Sequence, residues 1–465
     1  MYKASLTKAR KLAAALLPFK GLRRPDLERL PCIPVPAADL ETLQGPAAFR
    51  KRLLHLIAQA RKRILISALY VQDDEAGREV MEALHAAKAA RPDLEVAVLV
   101  DLHRAQRGLI GKVRSEGNAA MYKEMTRRLG PGVPVHGIPV QTREIMGVMH
   151  LKGFVLDDRV LFSGASLNDV YLHRQARYRL DRYHLVHSRA LADSFADLLT
   201  QVILPAPAVK RLDDPAKTSR VVSRTAVLEL RRRLKGAEYG FTAGTPAGGE
   251  VGITPLLGLG RRENELNAAL LSLIEGAQER LVLFTPYFNL PRPLHRAIRE
   301  RLRAGCQVTI VLGDKTANDF YVPPAEPFRT IAALPYLYEV NLRRFCKTQH
   351  QALEKGLLEI RLWQDRDNTF HLKGLWVDGI YALLTGNNLN PRAWWLDLEN
   401  GLLVRDPQGL LKAQHERELE QILVHTRRLA HYSDLETLED YPAPVRRLLT
   451  RFTRPRLDRL ISQVL

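Results

Sequence analysis

The sequence predicts an α/β fold made twice, as two duplicated units of helix-covered, mostly parallel sheet with an active site at their pseudo-twofold interface. Three observations predict it. Helix-like and strand-like periodicities alternate along most of the chain. The alternation runs in the same order in both halves, as an internal duplication requires. Each half also carries the same ionisable segment, "HLKGFVLDDRVLFSGASLND" from His150 and "HLKGLWVDGIYALLTGNNLN" from His371.

The basic N-terminal segment, residues 1–44, begins "MYKASLTKARKLAAALLPFKGLRRP". Its apolar run "LAAALLPF" is short, Lys20, Arg23 and Arg24 follow it, and no small-x-small cleavage site appears, so a secretion signal is not expected. The first unit, 45–204, reads as helix, strand, helix, strand, a polar loop from Asp101 to Gly108, and then the His150 segment. Residues 205–262 connect the units, and "KGAEYGFTAGTPAGGEVGITPLLGLGRR" (235–262) reads as a long Gly/Pro-rich loop. The second unit, 263–425, repeats the order, with "GDKTANDFY" (Gly313 to Tyr321) answering the first polar loop. Both loops follow corresponding strands, where ligands commonly bind.

The C-terminal segment, 426–465, is basic and amphipathic. Val445, Leu448, Leu449 and Phe452, then Leu457, Leu460, Ile461 and Val464, stand at helical spacing between Arg446, Arg447, Arg451, Arg454, Arg456 and Arg459. Such a pattern fits either a helix packed on the body or an anchor on anionic lipid.

Composition narrows the partners. With 46% hydrophobic and 26% charged residues, the chain is globular rather than disordered. Lys and Arg total 70 against 51 Asp and Glu, a net +19 that calls for an anionic partner: nucleic acid or an anionic membrane surface. Three cysteines without CxxC spacing suggest neither a disulfide framework nor a thiolate metal site, and fit a reducing cytoplasm. No apolar stretch approaches the ~20 residues of a spanning helix, so any membrane contact is expected to be peripheral.

Both repeats fit H-x-K-x4-D: His150, Lys152 and Asp157, then His371, Lys373 and Asp378. In an extended strand, residues two apart share a face, which sets imidazole beside ammonium. About 0.03 chance matches to this pattern are expected in a chain of average composition, so two at matching points of a duplication are functional. Two His, two Lys and the amides and hydroxyls of the following turns suit phosphoryl transfer. The cations stabilise the phosphoryl oxygens, one His attacks phosphorus and the other moves the proton. Ser166, Asn168, Asn388 and Asn390, at the ends of those turns, are the candidate amide and hydroxyl donors to the substrate. Asp181 and Glu399 are candidate carboxylate partners for the histidines. By alternation Asp157 and Asp378 face away from His and Lys, so support is as plausible as chemistry. No metal or cofactor is required. A patch formed by Arg174, Arg177, Arg179 and Arg182 fits either a pocket rim or a solvated face.

The twice-present HxKx4D sequence resembles the phospholipase D superfamily. Segments such as "GASLNDVYLH", "YRLDRYHLV", "TPYFNLP" and "LLTGNNLNPRAWWLDLENGLL" narrow the resemblance to its bacterial phosphatidylserine synthase branch, from about residue 45 to the C-terminus. That resemblance implies transfer of a phosphatidyl group from CDP-diacylglycerol to L-serine, with release of CMP, through a phosphatidyl-histidine. It also implies a cytoplasmic enzyme that associates peripherally with the inner face of the membrane, His150 as nucleophile and His371 as acid and base. A cardiolipin synthase or a phospholipase D is the alternative on the same fold. A nuclease is a further one, although no nucleic acid is required.

Overall fold

The computed structural model describes residues 22, 24–107, 117–214, 216 and 222–452. Two large sheets form the body. Edge to edge, the first runs Lys210–Arg211, Val135–Ile138, Glu95–Asp101, Arg63–Ser67, Gly153–Leu156, Arg159–Ser163, Tyr183–His187, Leu40–Thr42. The second runs Thr426–Arg428, Leu358–Trp363, Gln307–Gly313, Arg280–Thr285, Gly374–Val377, Tyr381–Thr385, Leu398–Arg405, Glu250–Leu259 and finally Ile33–Pro36. Up to that last strand the orders correspond position for position, which is the duplication seen in space.

Helix-strand alternation predicts parallel pairing only where a helix makes the crossover. Helix Glu75–Ala90 does so between Arg63–Ser67 and Glu95–Asp101, and helix Arg292–Arg303 between Arg280–Thr285 and Gln307–Gly313. The first begins where the Asp74 carboxylate caps the Gly77 amide, and buries Ala76, Val80, Met81, Leu84 and Ala87 along one stripe. The second buries Leu294, Ala297, Ile298 and Leu302. Val135–Ile138 and Leu358–Trp363 extend the parallel pairing to a third strand in each sheet. All other neighbours in the two sheets are antiparallel, with tight hairpins joining Gly153–Leu156 to Arg159–Ser163 and Gly374–Val377 to Tyr381–Thr385, so both sheets are mixed rather than mostly parallel.

The flanking segments belong to the sheets. Within the presumed 235–262 loop, Glu250–Leu259 is a ten-residue strand. It pairs with Leu398–Arg405 on one side and Ile33–Pro36 on the other. Its Gly and Pro content hid it, yet it is buried from Val251 to Gly260. The N-terminal segment adds Ile33–Pro36 to the second sheet and Leu40–Thr42 to the first, and so ties the halves together. One core containing Val155, Phe162 and Val186 from one half and Phe284, Trp376 and Leu402 from the other runs across the interface.

Helix Ala443–Phe452 opens the C-terminal tail. Its Val445 and Leu449 pack with Tyr441 against Ala333 and Tyr336, so this part of the tail packs on the body. The rest of the tail, 453–465, and the N-terminal stretch 1–21, where the sequence reading expects no secretion signal, lie outside the described residues. Among the described residues no helix is long and apolar enough to cross a membrane.

Candidate active site

The two histidine segments are extended and lead into strands Gly153–Leu156 and Gly374–Val377. Each is docked on the other half. Met149 bridges Leu398 in parallel, and the His150 amide donates to the Leu398 carbonyl at 2.9 Å. Likewise Thr369–Phe370 pairs in parallel with Arg179–Leu180, and the His371 amide donates to the Leu180 carbonyl at 2.8 Å. The residue after each docking carbonyl is an acid, Glu399 or Asp181. Backbone pairing across the pseudo-twofold therefore delivers each carboxylate to the other half's histidine.

Glu399 Oε2 lies 2.9 Å from His150 Nδ1, with both side chains buried. On the other side Asp181 Oδ2 is 3.5 Å from His371 Nδ1 and accepts from Lys373 Nζ at 2.6 Å. The Tyr171 hydroxyl stands 2.9 Å from His371 Nδ1, and Lys373 Nζ also touches that nitrogen. Both rings are thus held through Nδ1, and among the described residues neither Nε2 has a protein hydrogen bond. Lys152 and Lys373 are both 1% exposed. Lys152 Nζ donates to the Ala165 carbonyl at 3.2 Å and reaches the Ser166 hydroxyl at 3.4 Å.

The glycine opening each turn makes room for the opposite lysine. A Cβ on Gly164 would stand 2.7 Å from Lys373 Nζ and 2.8 Å from Asp181 Oδ1, and one on Gly386 would stand 2.7 Å from Lys152 Cγ. A Cβ at either position would force the opposite lysine to move, so the glycine of each turn is a spatial requirement.

Burial sets the electrostatics. It lowers the His150 pKa well below the usual imidazole value, and Lys152 and Lys373 lower it further. Burial and Lys373 likewise lower His371, to about 4, so both rings are neutral at pH 7. Burial, with Lys373, brings Lys152 down to about 7, and Lys373 is also lowered, chiefly by burial. Burial and Asp397 push Glu399 well above the ordinary carboxyl value. Burial opposes ionisation of Asp181 too, but the Lys373 ammonium and the bond from His371 outweigh it and hold the carboxyl low. Among the described residues no group of three His, Cys, Asp or Glu is placed to hold a metal ion.

The expected residues separate into those the fold gathers and those it does not. His150, Lys152, His371, Lys373, Asp181, Glu399 and Ser166 converge, with Asn388 on the turn beside them. Asp157 and Asp378 do not belong to this centre. The Asp157 carboxylate accepts from the amides of Arg61, Lys62 and Arg63, and that of Asp378 from Gln278, Glu279 and Arg280. Both sit at the far end of their strands in left-handed backbone, φ +53° and +52°, which Asp tolerates better than most residues. Their repetition is accounted for by the turns whose amides they bind. Asn168 and Asn390 cap turns beside the centre: their Oδ1 atoms accept from the amides of Tyr171 at 3.0 Å and Ala393 at 2.9 Å.

The polar loops are also bracing in their described parts. Asp101 Oδ2 accepts from the Met149 amide beside His150, and Asp314 accepts from Thr316 and Arg427. The four arginines form no common face. Arg182 is buried against Glu418 over the Trp376 ring, and Arg179 lies over Tyr171 near Asp319, whereas Arg174 and Arg177 are exposed.

Two site residues escaped the sequence reading. Asn400 donates to the Lys152 carbonyl and accepts from the Lys152 amide, both at 2.8 Å, pinning the backbone of the first motif. Its position directly after Glu399 was the available signal. Tyr171 was visible only as a difference between repeats: it follows Asn168 by three, where Ala393 follows Asn390.

Comparison with known proteins agrees with this duplicated site. The chain matches the family described as "Cardiolipin synthase, PLD-like domain" over residues 53–198 and 270–423. It is 49% identical to the CDP-diacylglycerol--serine O-phosphatidyltransferase of Escherichia coli, covering 94% of this chain and 97% of that one. It is 46% identical to the Haemophilus influenzae enzyme of the same name, covering 95% and 98%. The crystal structure of phosphatidylserine synthase from H. influenzae superposes with a TM-score of 0.91 over 95% of this chain and 98% of that one. With the family matched once in each half, around each of the two crossed histidines, the chain belongs to the phospholipase-D-like family, in the branch that contains these phosphatidylserine synthases.

Proposed function

We propose that this protein is a CDP-diacylglycerol--serine O-phosphatidyltransferase that works through a phosphatidyl-histidine on His150. The observation that carries the reading is the crossed pair His150–Glu399, set in one buried centre with His371, Lys152 and Lys373. Neutral His150, held at Nδ1, presents the Nε2 lone pair to the phosphorus bearing the diacylglycerol. The P–N bond forms as the bridging P–O bond of the pyrophosphate breaks, and that electron pair leaves on CMP. The ring gains positive charge, which Glu399 stabilises as carboxylate.

Serine then attacks the same phosphorus. Its hydroxyl proton passes to Nε2 of neutral His371, the new P–O bond forms and the P–N bond breaks, returning the pair to His150. CMP departs on a weakly basic phosphate oxygen, so proton transfer matters more for serine's entry than for CMP's exit. Lys152 and Lys373 stabilise the phosphoryl oxygens in both steps, with the Ser166 hydroxyl and Asn388 amide as further donors. Asp181 and Tyr171 hold the base.

Partners follow from this chemistry: CDP-diacylglycerol, L-serine and, with a net charge of +19, the anionic inner face of the cytoplasmic membrane as a peripheral surface. Water as acceptor would make the same centre a phospholipase D, and a second phosphatidyl lipid would make it a cardiolipin synthase. The deciding experiment follows CMP release from CDP-diacylglycerol with and without serine, and maps a labelled phosphatidyl adduct. Serine-stimulated release and an adduct on His150 are expected. Release indifferent to serine overturns the acceptor, and an adduct on His371 reverses the roles.

A further inference from the structure

A groove of about 310 Å³ lies on the second half, outside the histidine centre, between helices Arg292–Arg303 and Leu334–Thr348. Its polar lining is rich in donors. Arg292, Arg299 and Arg344 reach it, no carboxylate lines it among the described residues, and none of the three arginines makes an ion pair there. Two donors are left over. The Nε of Arg299 is buried without a partner, as is the Nδ2 of Asn289, a residue only 5% exposed whose Oδ1 is taken by Asn341. A buried donor without an acceptor is destabilising, and these two leave the groove with hydrogen-bonding capacity that the protein itself does not fill. Burial and Arg299 also keep His295 on its wall neutral.

The remaining wall is apolar, with Phe288, Phe345 and Pro391 buried. At the rim stands half-buried Trp395, with Arg261 over its ring at 4.8 Å. A tryptophan flanked by arginine beside a donor-rich groove matches the boundary between lipid headgroups and acyl chains. The groove also touches the reaction centre through the chain. Thr285 Oγ1 bonds the carbonyls of Tyr287 and Asn388, and Asn390 caps the short helix that carries Pro391 and Trp395.

We propose that this groove binds the phosphate of an anionic phospholipid other than the one undergoing transfer, and so seats the bilayer beside the Asn388 turn. The proposal deepens the transferase reading and rests on it for the presence of a membrane.

The test is cosedimentation of the full chain with vesicles of phosphatidylcholine, with and without phosphatidylglycerol. It compares the wild type with Arg299→Gln/Arg344→Gln and with Arg232→Gln/Arg233→Gln, a control that removes equal charge elsewhere. The wild type and the control should bind the anionic vesicles alike, and the groove variant at least about tenfold more weakly, while its turnover in detergent micelles persists. Should that variant fold poorly by thermal melt, Arg344→Gln alone, at an exposed position, carries the measurement. Equal binding by the groove variant overturns the proposal, and so does an equal loss in the control. Full displacement of the wild type by inorganic phosphate at matched concentration and ionic strength also overturns it, by marking a site for free phosphate. If the vesicle pattern holds but wild-type CMP release ignores serine, the transferase reading fails and the groove stands.

Discussion

Nδ1 of His150 lies 2.9 Å from a carboxylate oxygen of Glu399, a residue 249 positions further along the chain. The Asp181 carboxylate, which lies on the same half as His150, instead serves Lys373 and His371. Each half is therefore chemically incomplete, holding a histidine and lysine for one site and the acid for the other histidine. Removing the acid tests the exchange. Glu399→Gln should lower serine-dependent turnover by roughly two orders of magnitude with the far-UV spectrum unchanged. Wild-type rates in this variant would show that His150 needs no carboxylate.

The interlocking of the halves is also steric. Gly164→Ala places a methyl group against Lys373 Nζ and Asp181, so the lysine must move although the mutated residue belongs to the opposite unit. A loss of at least about tenfold in kcat is expected, with a small change in melting temperature. An active Gly164→Ala variant would mean that Lys373 can shift without consequence.

Lysine ionisation should appear in the pH dependence. The folded-state pKa of Lys152 is depressed to about 7 by burial and Lys373, so in the free enzyme its ammonium is lost as pH rises through that value. A bound phosphate favours the charged form and raises the pKa again. The alkaline limb of kcat/KM, which reports free enzyme, is expected near 7, and the limb of kcat, which reports the complex, higher. Coincident limbs near about 10, the ordinary lysine value, would contradict this.

Asp157 gives the converse prediction. Asp157→Asn keeps a residue that tolerates left-handed backbone but loses the carboxylate that accepts from three successive amides. A destabilisation of ~1–2 kcal/mol is expected, measured by denaturant titration, with kcat per folded molecule unchanged. A large fall in kcat at full stability would return Asp157 to the chemistry.

Tyr171 separates the two steps. Its hydroxyl touches His371 alone of the two histidines, so Tyr171→Phe should slow serine-dependent turnover several-fold while leaving exchange of labelled CMP into CDP-diacylglycerol near wild type. Equal slowing of both would assign Tyr171 to the common phosphoryl site.

The sequence by itself determined the duplication, the His and Lys of both motifs, the two acids and the α/β class. These are local or periodic properties: a strand places residues two apart on one face, and a repeat is visible wherever the same pattern recurs. It also carried the ambiguity of Asp157 and Asp378, since alternation turned them away from the histidines without saying what they met. Only the tertiary structure decided that His150 takes Glu399 and His371 takes Asp181, because that choice is made by strand pairing across the interface. The same holds for Glu250–Leu259, a strand whose Gly and Pro content reads as loop and whose burial between two neighbours overrides that propensity. Asn400 and Tyr171 became site residues for the same reason: each acts on the motif of the opposite half, and contacts of that range leave no periodic trace in the chain.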